Sequence, residues 1–108
     1  ITREIYERGG VVGAVCHGYC GLLDTRLSDG SHLVAGRSIT GFSWREEVLA
    51  GVAKLVPHNV EERMKERGAR YSKALLPFVS NVVADGRLVT GQNPGSAKDT
   101  AAKVAALL

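Results

Sequence analysis

Val11-Val12-Gly13-Ala14-Val15-Cys16-His17-Gly18 decides how this 108-residue chain is read. An unbroken run of small and β-branched apolar residues stops at a cysteine, and a histidine and a glycine follow at once. Such a run predicts a strand buried on both faces, the kind found inside a parallel sheet. Tyr19-Cys20-Gly21-Leu22-Leu23 then reads as the first turns of a helix. A strand that turns abruptly into a helix with a nucleophile at the corner is a nucleophile elbow, here Ala14-x-Cys16-x-Gly18 with a thiol at the corner.

The corner has chemical consequences. It exposes a side chain at the C-terminal edge of the sheet, where open α/β folds place their ligands. Free N–H groups and the dipole at the start of the helix favour a thiolate there. The backbone N–H groups of His17 and Gly18 are candidate donors to an oxyanion. His17, directly beside Cys16, reads as the base of a nucleophile–base pair. The plain alternative is that Cys16 is a small buried residue closing a core strand.

Composition narrows the function classes. Hydrophobic residues make up 44% and charged residues 23%, ordinary values for one globular domain. The net charge of +3 comes from 14 basic and 11 acidic residues dispersed along the chain. No basic block exists, so nucleic-acid binding is not expected. No apolar run is long enough to span a membrane, and no membrane association is expected. Cys16 and Cys20, four apart, suit one helical turn rather than a disulfide framework, which points to a reducing, cytoplasmic setting. A central strand arriving after ten residues, with few apolar strands to follow, leads us to expect an N-terminal portion missing from this chain or held in another.

The rest of the chain alternates between helix and strand signals. Residues 1–8 read as a helix stopped by Gly9-Gly10. Leu33-Val34 and Ser38-Ile39 are short strand candidates. Ser43 and Glu46 form a capping box that predicts a helix from Trp44 to about Val52. If Glu46 folds back to cap, Glu47 is free to point elsewhere. Pro57 is expected to open the next helix, which Gly68 ends, and Ala69 to Tyr71 is a further strand candidate. Asp85-Gly86 between two extended runs signals a hairpin. Asn93 reads as an N-cap and Pro94 as the first position of a helix over 96–108, with Val104, Leu107 and Leu108 as its apolar contacts. His32 and His58 read as surface residues and Cys20 as helix packing. The ligands for a metal site do not converge, so none is expected.

Three motifs together carry a resemblance. Ala14-Val15-Cys16-His17-Gly18, then Gly36-Arg37-Ser38-Ile39-Thr40-Gly41-Phe42-Ser43 with Glu46-Glu47, then residues 85–97 (Asp85-Gly86-Arg87-Leu88-Val89-Thr90-Gly91-Gln92-Asn93-Pro94-Gly95-Ser96-Ala97) resemble the ThiJ/PfpI family. That family belongs to the class I glutamine-amidotransferase-like superfamily. The Cys-His-Gly elbow is similar to its heat-shock, glyoxalase III-like branch. The resemblance covers nearly the whole chain. It implies an α/β flavodoxin-like three-layer sandwich with a mostly parallel central sheet, of which residues 1–108 form the C-terminal part of a single domain. The family's first strands, and an acidic residue there that hydrogen-bonds the cysteine, have no counterpart here.

The resemblance also implies residue roles. Cys16 matches the nucleophile, His17 its base, and Glu47 the acid that orients the histidine, although the residues alone leave Glu46 and Glu47 in competition. Tyr19 stands where the branch often carries proline, and Trp44 replaces a smaller residue; both are substrate-pocket candidates. The implied activity is a cofactor-independent, cysteine-dependent enzyme acting on small reactive carbonyls such as methylglyoxal and yielding lactate, in stress protection. The alternatives are a redox-responsive holdase chaperone, or a cysteine peptidase or amidase of the same superfamily. The expected partners are a small carbonyl substrate and either a second copy or a chain supplying the missing part.

Overall fold

β1 (Val12–Val15) follows the short helix α1 (Thr2–Glu7) and runs straight into the Cys16 corner. Gly9 takes φ +90 between them, a conformation that glycine alone adopts without strain. The computed structural model describes residues 1–54 and 59–108. The expected helix start at Pro57, and His58, lie outside the described residues.

β1 pairs in parallel with β5 (Leu88–Gly91), Val12 opposite Leu88 and Val15 opposite Gly91. β5 pairs antiparallel with β4 (Val82–Asp85), giving the strand order β1-β5-β4. The hairpin signal is correct but displaced by one residue. Asp85 already pairs with Leu88, so Gly86 (φ +59) and Arg87 make the turn. β2 (Ser38–Ile39) and β3 (Arg70–Tyr71) form a separate parallel pair. Asp85 joins the two sheets: its carboxylate accepts the Ser38 N–H at 2.7 Å and lies 3.9 Å from both Arg37 and Arg70. Arg87 clamps α1 from the other side. It donates to the carbonyls of Tyr6 and Gly10, and its guanidinium lies 4.4 Å from the centre of the Tyr6 ring.

The core gathers Val12 and Leu88 from the sheet, Tyr19, Leu22 and Leu23 after the elbow, and Leu33, Val34, Ile39, Phe42 and Met64 from the connections and helices. Leu33 and Val34 are fully buried in a turn and do not form the expected strand. Helix α2 (Trp44–Leu49) ends sooner than expected, at Ala50 before Gly51 (φ +76). Helix α3 (Val60–Glu66) is capped by the Asn59 side chain, which accepts the Glu62 N–H.

Helix α4 (Ala97–Leu107) lies against β1 and β5. A methyl group on Gly91 would come within 2.1 Å of Thr100 Oγ1, so only glycine lets this helix settle on β5. Leu107 and Leu108, expected as apolar contacts, are exposed, and Val104 is half-buried. The strand expected at the centre of a sheet is an edge strand here. Val12 is buried, but Gly13 is exposed and Ala14 and Val15 are half-buried, because β5 flanks β1 on one side only.

Candidate active site

The site begins at a strained corner. Cys16 has φ +57, one of two non-glycine residues with a positive φ among those described. An L-residue in this conformation costs on the order of 1–2 kcal/mol, and such outliers collect where function needs a side chain aimed unusually. Val15 just before it is fully extended, so the chain reverses within one residue. The Phe42 N–H reaches back to the Cys16 carbonyl at 3.4 Å and ties the corner to the segment before α2.

The helix after the corner is a 3₁₀ helix, Cys16–Leu22, rather than the expected α-helix. Three residues per turn put Tyr19 and Leu22 on one face, and both are buried. This overturns Tyr19 as a pocket residue. Its ring enters the core, its hydroxyl donates to the Phe42 carbonyl at 2.7 Å, and burial pushes its pKa far up. The ring lies so close to Gly41 that a Cβ there would sit 2.1 Å from it. The same rotation turns Cys20 out to solvent, so it does not pack. His32 is half-buried rather than on the surface.

The capping box at α2 forms as the spacing requires. Ser43 Oγ accepts the Glu46 N–H at 3.1 Å, and Glu46 Oε1 accepts the Ser43 N–H at 3.1 Å. Glu46 does more than cap. It also accepts from Gln92 Nε2 (2.8 Å), Asn93 Nδ2 (2.9 Å), Ser43 Oγ (2.9 Å) and the Phe78 N–H (2.7 Å). Burial alone would raise its carboxyl, but the donors from Gln92, Phe78, Ser43 and Asn93 hold it below the usual range. Asn93 is therefore not the simple cap that its position suggests. Its amide grips Glu46 and the Val79 carbonyl, and its Oδ1 accepts from Ser96 Oγ.

With Glu46 so engaged, the neighbouring Glu47 faces the elbow. His17 Nε2 and Glu47 Oε1 are 2.6 Å apart, and His17 Nδ1 lies 3.6 Å from Cys16 Sγ. A carboxylate only accepts, so the proton sits on Nε2 and leaves Nδ1 as an acceptor toward the thiol. The His17 ring also packs on Phe42, with centroids 4.5 Å apart. Glu47 is buried, and its second oxygen has no hydrogen-bond partner among the described residues. The imidazole is about half exposed, open to a substrate.

One electrostatic expectation is reversed. Burial raises the Cys16 thiol above its ordinary value, the His17 N–H opposes that only in part, and the Glu46 and Glu47 charges add to the rise. Trp44 is half-buried at the first position of α2, where its backbone N–H donates to Glu61 at 3.1 Å. Gly18 is exposed beside the elbow. The clamp made by Gln92 and Asn93 on Glu46 was missed by sequence reasoning; two adjacent amides four and five residues before α4 were its only signal.

An α/β fold with a cysteine at a strained strand-to-helix corner, backed by a histidine and a carboxylate, defines a cysteine-elbow protein. The chain belongs to the DJ-1/PfpI family, which matches residues 1–107. It is 43% identical over 110 residues to the glutathione-independent glyoxalase HSP31 of Saccharomyces cerevisiae, an alignment covering 95% of this chain and 46% of the relative. Glyoxalase III of Candida albicans superposes with a TM-score of 0.92 at 35% identity, over 99% of this chain and 47% of that one. The 24 kDa rapid encystment protein of Francisella tularensis superposes with a TM-score of 0.91 at 37% identity, over 97% and 47% of the two chains. This chain thus spans about half the length of the relatives it matches.

Proposed function

We propose that the complete protein is a cofactor-independent glyoxalase that converts small 2-oxoaldehydes such as methylglyoxal to 2-hydroxy acids such as lactate. The observation that carries the reading is His17 held between Cys16 Sγ and Glu47 Oε1 at the strained corner. The names of the yeast and Candida relatives point to the same chemistry.

The residues map onto the reaction in order. Cys16 Sγ attacks the aldehyde carbon while His17 Nδ1 takes the thiol proton, and that proton passes to the carbonyl oxygen. A new C–S bond forms and the product is a hemithioacetal. His17 then removes the hydrogen on that carbon and returns a proton to the adjacent one, through an enediol. The outcome is a 2-hydroxyacyl thioester. Water cleaves the C–S bond, releasing the hydroxy acid and restoring the thiol, so the sum is substrate plus one water. Glu47 fixes the imidazole tautomer and stabilises the imidazolium as it forms. The N–H groups of His17 and Gly18 are the proposed donors to the developing oxyanion. Burial raises the Cys16 thiol, so proton removal by the adjacent His17 Nδ1 at the moment of attack is the key event.

The open edge of β1 bears on partners. An apolar groove of about 640 Å³ runs along β1 and α4, lined by Gly13, Ala14, Val15, Ala101 and Val104. We propose that the part of the domain that this chain does not cover packs there, on the same chain or a second one, and that the assembled protein is a dimer. No helix among the described residues is long and apolar enough to cross a membrane. Two unpaired cysteines favour a reducing setting, which we place in the cytoplasm. The experiment that tests the reading is lactate formation from methylglyoxal by the full-length protein without glutathione, with Cys16→Ala as control. Activity surviving the substitution would sink the mechanism.

A further inference from the structure

The segment between β3 and β4 combines two features that ordinarily exclude each other. Its apolar side chains face outward: Leu75 is 95% exposed, Leu76 64%, Phe78 43% and Val79 46%. Exposed apolar residues this dense mark binding surfaces. Yet its backbone is pinned from below by the buried side chains around Glu46. The Ala74 N–H donates to Gln92 Oε1 at 2.8 Å, the Phe78 N–H to Glu46 Oε2 at 2.7 Å, and Asn93 Nδ2 donates to the Val79 carbonyl at 2.7 Å. Phe78 is held at φ +62, an unfavourable conformation for a bulky residue. A fully buried carboxylate and two buried amides thus fix a strained backbone whose visible result is an outward apolar ridge.

The ridge is continuous with the site. Phe78 meets Phe42 edge-on with centroids 5.8 Å apart, and Phe42 in turn packs on the His17 imidazole at 4.5 Å. Phe42 is buried, whereas Phe78 leaves much of its ring open to solvent. A ligand group lying on Phe78 is therefore one ring away from the imidazole that serves Cys16.

We propose that residues 75–79 form an apolar platform at the mouth of the Cys16–His17 site, with Phe78 as its contact residue, that receives the substituent of the carbonyl substrate. The protein then takes 2-oxoaldehydes bearing an aryl or bulky alkyl group in preference to methylglyoxal. This rests on the glyoxalase reading above and names the substrate class of the same site.

Two readouts on the full-length protein separate the platform from that reading. The first is kcat/KM for phenylglyoxal against methylglyoxal. The second is the alkylation rate of Cys16 by iodoacetanilide against iodoacetamide, followed by peptide mass spectrometry with the exposed Cys20 as internal reference; it needs no turnover. Phe78→Gly removes the ring and suits the positive φ, so it preserves folding, and Leu76→Ala provides a second, exposed change. Both ratios should favour the aryl reagent, and Phe78→Gly should lower each by roughly fivefold or more, the scale of one aromatic contact. Aryl preference in alkylation without any turnover would retain the platform and refute the glyoxalase. Turnover with ratios that Phe78→Gly and Leu76→Ala leave unchanged would overturn the platform. So would a change in sedimentation without a change in either ratio, since a second copy would then cover the ridge.

Discussion

Glu46 and Glu47 are adjacent in α2, yet their carboxylates serve different networks. Glu46 is fully buried and collects hydrogen bonds from Ser43, Phe78, Gln92 and Asn93. Glu47 turns the other way and meets only His17 among the described residues. One carboxylate builds the frame and the next points the imidazole.

The two should separate cleanly on substitution. Glu46→Ala leaves several buried donors without an acceptor and should cost at least about 3 kcal/mol of stability. Glu47→Gln keeps the shape but removes the charge that holds the proton on Nε2. It should lower kcat by roughly 10²–10⁴-fold with a much smaller change in stability. Chemical denaturation and steady-state kinetics of both variants check this.

The frame also predicts an acid-sensitive fold. The Glu46 carboxyl is held below its ordinary 4.5, so its contribution is fully present above that pH and fades as pH falls through the lower folded value. Denaturant midpoints measured from neutral pH downward should drop below about pH 4.5, and Glu46→Gln should flatten that part of the profile. An equal drop in the variant would assign the acid sensitivity to other groups.

Tyr19 supports the site from behind. Tyr19→Phe orphans the Phe42 carbonyl and should cost about 1–2 kcal/mol, with KM nearly unchanged because the ring never meets substrate. Gly41→Ala should be worse, since its methyl would enter the Tyr19 ring. A large rise in KM for Tyr19→Phe would return this residue to the pocket.

The Cys16 thiol should titrate above its ordinary 9.0, because burial raises it and the Glu46 and Glu47 charges add to that. Alkylation of Cys16 should therefore still be accelerating at pH 9, and Glu47→Gln should shift the profile to lower pH. A profile with its midpoint below 9 would show that the thiol is activated at rest.

What was legible in the sequence follows local rules. The elbow was visible as an apolar run ending in Cys-His-Gly, a pattern that fits a core cysteine equally well until the two downstream motifs are set beside it, and the Ser43–Glu46 spacing announced its cap. Glu47 was assigned by the family resemblance, since the capping box alone left it in competition with Glu46; only the buried donors around Glu46 separate the two. Cys20 was misplaced because a 3₁₀ helix forms where an α-helical turn was expected, and three residues per turn carry it off the Cys16 face; Tyr19 was placed at the mouth by its match in the family pattern, whereas its ring enters the core against Gly41. Asn93 looked like a cap because its partner, Glu46, lies far away in sequence, beyond any local pattern. β1 read as central from its composition, whereas among the described residues it pairs with β5 alone and stands at the sheet edge.

The role of Cys16 is decided by incubating the full-length protein with methylglyoxal, without glutathione, and measuring lactate for the unmodified protein and for Cys16→Ala. Lactate from the former, and a loss of at least about 10³-fold in the latter, is the predicted result. Lactate formed at the same rate by Cys16→Ala, or none formed by the unmodified protein, would contradict it.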